Sequence, residues 1–533
     1  MYFARTSTSS TMATHLQVGK HMETELKLLI EPSDAEAWRK HPLFRKYAAD
    51  PPHEQTLTGI YFDTPNYDLR QADAGLRVRQ VGSDWVQTLK VGGQAVGGLH
   101  QRQEWESKVA GPAPDLDALR ELVGTKSGYA KLIHKLGKLD LLHQTFATQV
   151  KRPVWELTLP EGDEVECAMD EGSIEYGSSK VPIGEVELEL KSGELKRLFD
   201  LALQLQRDIP LHIGNLSKAD RGHGLMVPHE LSAVKAASIR LDRKMTVEMA
   251  FQSIVENCVA HIQANEPGVT RERDIESVHQ MRVGLRRLRS ALSMFKDVIR
   301  CPENIAAELK WLGRELGAAR DWDVLTESTL SRIGKEIADK TTNAPVRKVA
   351  QETPKARHDE AATAVHSPRY TKLVLESYSW VRGSGWRQSS TEAQHRRLQR
   401  PIGRFADEIL SRDQQCLRKL GRRLKGVNPE TRHMVRIAAK KTRYATEFFQ
   451  SLYPTDRVLP YVKALSRLQD NLGWLNDASV GATLLKDLSL ARPEISNDAN
   501  FVRGYLVCQT RRDDVALDRL WKKFKKVALP SRK

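Results

Sequence analysis

The chain lacks a long hydrophobic run. No stretch of its 533 residues approaches the roughly 20 consecutive apolar residues that a membrane-spanning helix needs, so the sequence argues against an integral membrane protein. Cysteine is also scarce, and its five residues are scattered with no C-x-x-C pair. This pattern excludes a cysteine-based zinc site and predicts free thiols in a reducing compartment, hence a cytoplasmic protein. The cysteines are Cys167, Cys258, Cys301, Cys416 and Cys508.

A recognisable nucleophile is also lacking. No Ser/His/Asp or Cys/His set stands out among the motifs, and aromatic residues make up only 6% of the chain. No obvious aromatic cluster lines the charged motifs, so there is little surface on which nucleobases could stack. The sequence therefore favours a reaction that needs no protein nucleophile and a partner recognised by its charge.

Charge is divided unevenly along the chain. Residues 21–230 carry 25 Lys+Arg against 33 Asp+Glu, a net charge of −8, whereas residues 231–533 carry 56 against 35, a net of +21. Residues 1–20 add +2, which gives the total of +15. This asymmetry predicts a polyanionic partner for the basic half.

Two short segments place acidic residues at alternate positions. If residues 23–27 form a strand, the period of two brings Glu23, Glu25 and Lys27 to one face and leaves the other face apolar. Residues 185–190 repeat the pattern with three glutamates. Such charge is costly in a dry core, so the faces are expected to line a wet cavity. Carboxylate oxygens suit Mg²⁺ or Mn²⁺, which commonly share a phosphate substrate. The three glutamates are Glu185, Glu187 and Glu189.

Basic residues also alternate in this half of the chain. Several Lys and Arg residues could neutralise and position a triphosphate, while the carboxylates hold one or two divalent ions. The pattern indicates phosphoryl transfer to water. The alternative is that these residues form ordinary charged faces of an antiparallel sheet, although acidic segments both open and close the region. The cations are Arg77, Arg79, Lys90, Arg102, Arg152 and Lys218.

The chain divides into a strand-rich part and a helical part. Residues 1–21 lack the apolar core of a signal peptide, and we interpret them as a disordered arm or a leader from an over-extended start. Residues 22–226 show alternating strands with two helices, at 34–47 and 193–206, which predict a closed barrel with a wet interior. After a linker at 227–240, residues 241–528 show helical spacings of three and four. The predicted class is α+β with two domains.

Residues 22–225 resemble a CYTH domain, also called a triphosphate tunnel metalloenzyme. The resemblance implies an eight-stranded antiparallel tunnel that binds a triphosphate and a divalent metal, Mg²⁺ or Mn²⁺. The matching segments are residues 23–27 (ETELK), 61–64 (YFDT), 76–79 (LRVR), 88–90 (TLK), 98–102 (GLHQR), 169–172 (MDEG), 185–189 (EVELE) and 217–218 (SK).

The resemblance also implies roles for individual residues. The acids Glu104, Glu106 and Glu185 compete for few metal positions, so they receive no firm role. The implied catalytic residues are Glu23, Glu25 and Lys27. The implied metal-side residues are Glu23, Glu25, Asp170, Glu187 and Glu189. The implied substrate-binding residues are Lys27, Arg77, Arg79, Lys90, Arg102, Arg152 and Lys218.

The helical half repeats itself. Residues 279–289 (HQMRVGLRRLR) and 433–443 (HMVRIAAKKTR) share a histidine followed by cations at +3, +7, +8 and +10, at a constant offset of 154 residues. Residues 316–321 (LGAARD) and 472–477 (LGWLND) form a second similar pair. This self-similarity predicts a duplicated unit.

Helix geometry groups the repeated residues into stripes. At about 100° per residue, positions 0, +3, +7 and +10 lie within roughly 80° of one another. Like charges so close repel, so each stripe needs an anionic partner. The alternative is a solvated basic face with a packed or capping histidine. The stripes are His279, Arg282, Arg286 and Arg289, and His433, Arg436, Lys440 and Arg443.

Residues 240–528 resemble a CHAD domain, the conserved-histidine α-helical domain. The resemblance implies two pseudo-symmetric helical bundles whose stripes bind inorganic polyphosphate through charge-assisted contacts. It also implies association with polyphosphate granules. In the second copy of the motif, Lys440 and Lys441 replace two arginines. This replacement keeps the charge but loses the bidentate geometry of a guanidinium group.

Together these patterns predict a metal-dependent inorganic triphosphatase with a polyphosphate-binding domain. One alternative is a tunnel enzyme acting on thiamine triphosphate, an RNA 5′-triphosphate or ATP. Another is a polyphosphate-binding scaffold with an idle tunnel. A nucleic-acid partner for the basic half is permitted by charge alone, but the stripes lack interleaved aromatics. Neither a membrane nor nucleic acid is therefore the expected partner.

Overall fold

The computed structural model describes residues 19–93, 95–125, 127–139, 142–227, 231–336, 344–422, 424 and 429–531. Most of the predicted leader, residues 1–18, lies outside this part of the chain. The chain forms two compact units. One contains Met1–Leu198 and Ile213–His229, and the other contains Phe199–His212 and Glu230–Lys533. No helix in the described ranges is both long and apolar enough to span a bilayer.

Eight long antiparallel strands of the first unit close into a barrel, as predicted. The sheet order is β5-β4-β3-β2-β6-β7-β8-β1, and β5 also pairs with β1, which closes the barrel. A short ninth strand extends the sheet beside β1. The strands are β1 (Gly19–Ile30), β2 (His53–Asp63), β3 (Ala74–Val81), β4 (Asp84–Val91), β5 (Leu99–Val109), β6 (His143–Thr158), β7 (Glu164–Tyr176), β8 (Ser179–Ser192) and β9 (Leu211–Ile213).

The register of β1 and β8 brings the two acidic segments together. Glu25 lies opposite Glu189, and Lys27 lies opposite Glu187. Because directly paired residues of antiparallel strands point to the same face, these charged side chains share the barrel interior. The intervening Leu26 and Leu28 point outwards and are fully buried. The alternation predicted from sequence is therefore what separates the wet interior from the apolar outer layer.

Helices cover parts of the outer face of the barrel. The apolar side chains of β3, β4 and β5 pack beneath α4 and α5 around Trp105. The helix expected at residues 34–47 is broken in two near Pro42, which begins α2, because proline cannot continue a helix from the preceding turn. The helices of this unit are α1 (Ala35–Arg39), α2 (Pro42–Tyr47), α3 (Asp68–Gln71), α4 (Leu116–Val123), α5 (Ala130–Leu139) and α7 (Lys218–Met226). The helix α6 (Leu195–Asp208) begins in this unit, and its residues from Phe199 onwards belong to the second unit.

The rest of the chain is helical. Its 3-10 turns are Arg387–Ser389, Gln450–Leu452 and Pro493–Ile495, and its π-helical turns are Gly268–Glu272 and Val324–Leu330, whereas the 3-10 turn Pro32–Asp34 lies in the first unit. The helices are α8 (Val247–Gln263), α9 (Ile275–Phe295), α10 (Glu303–Asp323), α11 (Ser331–Glu336), α12 (Ala344–Ala350), α13 (Thr353–Val365), α14 (Pro368–Arg382), α15 (Glu392–Leu398), α16 (Ile402–Gly421), α17 (Pro429–Phe449), α18 (Thr455–Ala491) and α19 (Ser496–Phe524).

The predicted duplication is visible in the packing of these helices. In the first copy α9 packs between α8 and α10, and in the second copy α17 packs between α16 and α18. The two motif helices, α9 and α17, also contact each other. The two halves are thus related by pseudo-symmetry, and the two repeated motifs meet at their junction.

Candidate functional site

A cavity of about 1030 Å³ runs through the barrel. Its wall is built from side chains of alternate strand residues, and it contains both acids and bases. Glu23, Glu25, Glu187 and Glu189 lie on β1 and β8, while Arg77, Arg79, Lys90, Arg102 and Arg152 lie on β3, β4, β5 and β6. Lys27 and Lys218 also line the cavity. The structure therefore brings together every cavity residue implied by the sequence except Asp170, which lies outside the lining.

The ionised forms of the two glutamates on β1 are disfavoured by their surroundings. Burial raises the pKa of Glu23, and Glu104 and Glu189 raise it further against the opposing charge of Lys90. Burial also raises the pKa of Glu25, with Lys27 opposing and Glu23 and Glu187 adding to the rise. Negative charge in this part of the cavity is therefore not fully compensated by the protein's own cations.

Lys27 keeps its positive charge in this environment. Its Nζ lies 2.7 Å from a carboxylate oxygen of Glu187, 3.5 Å from Glu185 and 3.8 Å from Glu25. Burial by itself lowers the pKa of Lys27, but Glu187, Glu25 and Glu185 raise it above the ordinary value. A permanently protonated amine cannot act as a general base, so the group is suited to holding phosphate oxygen.

A paired-charge network stands behind one wall. Arg152 donates to both oxygens of Asp170, at 2.6 and 2.7 Å, and also contacts Glu187. The Nζ of Lys218 lies 2.6 Å from Asp170, 2.8 Å from Glu185 and 2.9 Å from Glu187. Although burial opposes it, Arg152 and Lys218 keep the pKa of Asp170 below its ordinary value. This network is nearly neutral and fixes the two cations at the cavity wall.

Three arginines of the cavity lie in a different environment. Burial opposes the charge of Arg77, but neighbouring acidic groups raise its pKa above the ordinary value. Among the described residues, the buried Nε atoms of Arg77, Arg79 and Arg102 have no hydrogen-bond partner. Burial lowers the pKa of Arg79 to about 10, and the charges of Arg77 and Arg152 add to the effect. Buried guanidinium groups with unpartnered Nε atoms are the arrangement expected of an anion site.

Lys90 lies between these two environments. Its Nζ is 2.6 Å from Glu23 and 3.3 Å from Glu104. The pairing spans β4, β1 and β5, so it crosses the seam at which the barrel closes. Lys90 therefore connects the acid-rich side of the cavity with the arginine-rich side.

The helix α7 supplies Lys218 at its first residue. Ser217 and Asp220 form a reciprocal capping box, in which the Ser217 side chain accepts from the Asp220 N–H and Asp220 accepts from the Ser217 N–H. Such a cap fixes the first turn of a helix. The Ser-Lys pair seen in the sequence therefore combines a helix start with a side chain aimed at the cavity.

Two groups of acidic residues could bind a hard divalent cation, and they differ in how many of their oxygens are already bonded. Asp170, Glu185 and Glu187 offer oxygens that all lie within 4.8 Å of one another, but the network described above already binds them. Glu23, Glu25 and Glu189 face the cavity with raised pKa values. Carboxylate oxygens that lack enough positive charge are suitable ligands for Mg²⁺ or Mn²⁺.

The two stripes of the helical unit meet as one basic surface. Four cations lie close enough to affect one another's pKa values: Arg282 and Arg286 on α9, and Arg436 and Lys440 on α17. The carboxylates of Asp321 and Asp477 oppose this effect. The guanidinium of Arg282 lies 3.5 Å from Asp321. Burial lowers the pKa values of both Arg282 and Arg436, and neighbouring cations add to it. Positive charge thus exceeds negative charge at the junction.

The outer members of the stripes differ between the copies. His279 is half-buried, and burial together with Arg320 lowers its pKa to about 4, whereas His433 is exposed. Arg289 is exposed, while Arg443 lies 3.3 Å from Glu447 on its own helix. The structure therefore groups the four central cations and leaves the ends of the stripes in unequal surroundings.

Family models match almost the whole of the two regions. The CYTH domain matches residues 21–223, and the CHAD domain matches residues 253–486. The chain is a CYTH–CHAD protein. The barrel is the CYTH domain and the helical region is the CHAD domain, as the sequence patterns predicted.

Two relatives of the CYTH–CHAD protein are informative. An inorganic triphosphatase of Haemophilus influenzae is 30% identical over 203 residues, which are 38% of this chain and 54% of that protein. The match thus spans about half of the length of this curated relative. The crystal structure of the CHAD domain from the plant Ricinus communis is 35% identical and has a TM-score of 0.52, covering 57% of this chain and 99% of that one.

Several residues in the CYTH cavity or in contact with its wall were not predicted from the sequence. Glu166 lines the cavity on β7, where it lies opposite Glu189, and its spacing of four from Asp170 on one strand could have revealed it. Arg221 binds the buried Glu185 at 2.5 Å, one helical turn after Lys218. His100 is buried opposite Glu25, and its Nε2 lies 2.8 Å from the carbonyl of Gly214; only the fold places that carbonyl there.

Proposed function

We propose that the CYTH domain hydrolyses inorganic triphosphate to diphosphate and phosphate. The observation that carries the proposal is that one cavity holds both acids with raised pKa values and arginines whose buried Nε atoms have no partner among the described residues. A bare triphosphate together with a divalent cation supplies both missing charges at once. The name of the Haemophilus influenzae relative supports the same substrate.

The proposed role of each cavity residue follows from its charge. Arg77, Arg79 and Arg102 bind phosphate oxygens, and Lys27, Lys90, Arg152 and Lys218 hold the chain of phosphates against the wall of the barrel. A divalent ion, Mg²⁺ or Mn²⁺, would be held by Glu23, Glu25 and Glu189 and would neutralise phosphate oxygens. Glu187 would join these ligands once the cations that bind it move onto phosphate. Because Glu23 and Glu25 have raised pKa values, an ionised carboxylate there is a better proton acceptor for the attacking water than an exposed one.

In this proposal, Asp170 can bind the metal ion only after the cations that now bind it have moved. Both of its oxygens are bonded to Arg152, and one of them also to Lys218. It could join the metal ligands only after one of these cations moves onto phosphate. We therefore propose Asp170 as the residue that releases Arg152 and Lys218 to the substrate.

We further propose that the CHAD domain, residues 241–528, binds inorganic polyphosphate across the junction of its two copies. Arg282, Arg286, Arg436 and Lys440 form the centre of the site, with His279, Arg289, His433 and Arg443 at its ends. The buried Nε atoms of Arg286 and Arg436 have no hydrogen-bond partner among the described residues, so both can donate to phosphate oxygens. Binding would place this cytoplasmic protein at polyphosphate granules and near the ends of phosphate chains.

The test is phosphate release from inorganic triphosphate, ATP, thiamine triphosphate and an RNA 5′-triphosphate, each with Mg²⁺, with Mn²⁺ and with excess chelator. We expect rapid release from inorganic triphosphate alone, abolished by the chelator and restored by the metal. Preference for an organic triphosphate would replace the substrate while keeping the chemistry. No release from any substrate would overturn the enzymatic proposal and leave a binding scaffold.

A further inference from the structure

Lys440 occupies a position where the first copy of the repeat has an arginine. The offset of 154 residues aligns it with Arg286, just as it aligns Arg436 with Arg282. The centre of the basic surface is therefore three arginines and one amine. A guanidinium stays protonated and is a poor nucleophile, whereas a lysine amine becomes nucleophilic once it has lost its proton.

The surroundings of Lys440 disfavour its charged form. Lys440 is half-buried on α17, which packs against both α9 and α18. The charged groups that act on it are Arg436, one turn away on α17, Arg282 and Arg286 on α9, and Asp477 on α18. Burial, followed by the charges of Arg436, Arg286 and Arg282, lowers the pKa of Lys440 to about 7, with Asp477 opposing. Within the described part of the chain Lys440 has no salt bridge that would hold its proton.

The same arginines supply recognition for a phosphorylated reagent. Arg286 and Arg436 each carry a buried Nε with no partner among the described residues, so a phosphate group can bind beside the amine with charge-assisted hydrogen bonds. A small molecule that carries a phosphate next to an electrophilic carbon would then have its carbon placed close to Nζ.

We propose that Lys440 is a site of covalent acylation by small acyl phosphates. The Nζ lone pair attacks the carbonyl carbon, an N–C bond forms, and the C–O bond to the phosphate breaks. Inorganic phosphate leaves with the bonding electron pair, and the proton lost from nitrogen goes to water. The product is an amide, so Lys440 loses its charge permanently.

Acylation would also control the proposed polyphosphate site, and this part rests on the proposed function. An amide at Lys440 removes one of four central cations and adds bulk where phosphate would lie. Conversely, bound polyphosphate would hold the amine in its charged form and shield it. Acylation and polyphosphate binding are therefore mutually antagonistic.

Lys441 is the matched control, because it lies on the next residue of the same helix but is exposed. The full-length protein is treated with acetyl phosphate from pH 6 to 9, and the acetylated fraction of each lysine is followed by peptide mass spectrometry. We expect Lys440 to react at least about tenfold faster than Lys441 near pH 7.5. The rate at Lys440 should level off above pH 8, once its amine is largely neutral.

Two further experiments test the Lys440 inference separately from the proposed polyphosphate site. Lys440→Arg, which copies Arg286, should fold normally and lose only the Lys440 label. Long-chain polyphosphate should slow labelling of Lys440 without affecting Lys441. If Lys440 reacts selectively but polyphosphate gives no protection, the lysine inference stands and the polyphosphate site fails. Reaction of Lys440 no faster than Lys441 across the pH range would overturn the inference itself.

Discussion

The barrel and the helical domain both gather lysine and arginine, but they treat the positive charge differently. In the barrel, Arg152 and Lys218 are bonded to buried carboxylates, and acids line the cavity beside the cations. In the helical domain, four cations meet, and the carboxylates that act on them in the described part of the chain are those of Asp321 and Asp477. Mixed charge can orient a substrate, a metal and a water, whereas charge of one sign can only attract a polyanion. This difference supports the proposal that the barrel is catalytic and that the helical domain binds a polyanion.

The largest expected effect is on catalysis. Glu23→Gln/Glu25→Gln keeps the shape of the cavity but removes the uncompensated acids, so triphosphate hydrolysis should fall at least about 1000-fold. Phosphate release at saturating metal measures it. Glu54→Gln, an exposed residue on β2, is the control and should hydrolyse at the normal rate. Retention of more than a tenth of the activity in the double variant would argue against a role for these acids.

A second prediction contrasts two arginines of the barrel. Arg152→Gln leaves buried Asp170 short of its bidentate partner, so unfolding free energy should fall by about 3 kcal/mol. Arg79→Gln removes a cation that its neighbours disfavour, so stability should change little while KM for triphosphate rises. Denaturant titration of both variants checks this. Equal destabilisation would show that the two arginines are not in different states.

A third prediction concerns the helical domain. Arg282→Gln/Arg286→Gln/Arg436→Gln should weaken polyphosphate binding by at least about 100-fold at low salt and flatten its salt dependence, because fewer charge-assisted contacts remain. Fluorescence titration with labelled polyphosphate measures it. Lys441→Gln, on the exposed side of α17, should bind within about twofold of the wild type. Stronger binding of RNA than of polyphosphate at matched salt would redirect the proposal to nucleic acid.

The smallest effect is on thermal stability. Because the pKa of Glu25 is raised in the folded protein, the folded state holds its proton more tightly than the unfolded state. Stability therefore falls as pH rises through the window from the ordinary value of 4.5 to the raised value. Without metal, Glu25→Gln should melt about 3 °C higher than wild type at pH 8 and at nearly the same temperature at pH 4. A lower Tm at pH 8 would show that ionised Glu25 is stabilising.

Sequence patterns predicted the wall of the cavity well. Alternation alone placed Glu23, Glu25 and Lys27 on one face, because the period of a strand is fixed by its backbone. Which residues lie opposite each other depends on strand order and register. The pairing of Glu25 on β1 with Glu189 on β8 could therefore not be predicted from the sequence. The same holds for Asp170, whose position behind Arg152 and Lys218 depends on packing.

The duplication was equally clear from the sequence, but its asymmetry was not. Spacing placed the two stripes on helices, and the offset showed their equivalence. Yet His279 is half-buried and His433 is exposed, although they occupy matching positions. Burial depends on neighbouring helices that have diverged between the copies, and a motif of eleven residues carries no information about them.

The most direct test measures triphosphate hydrolysis and polyphosphate binding side by side in Glu23→Gln/Glu25→Gln and in Arg282→Gln/Arg286→Gln/Arg436→Gln. If the barrel and the helices use charge for separate purposes, the first variant loses hydrolysis and binds polyphosphate normally, while the second hydrolyses triphosphate and no longer binds polyphosphate. Loss of both activities in both folded variants would contradict this division of labour.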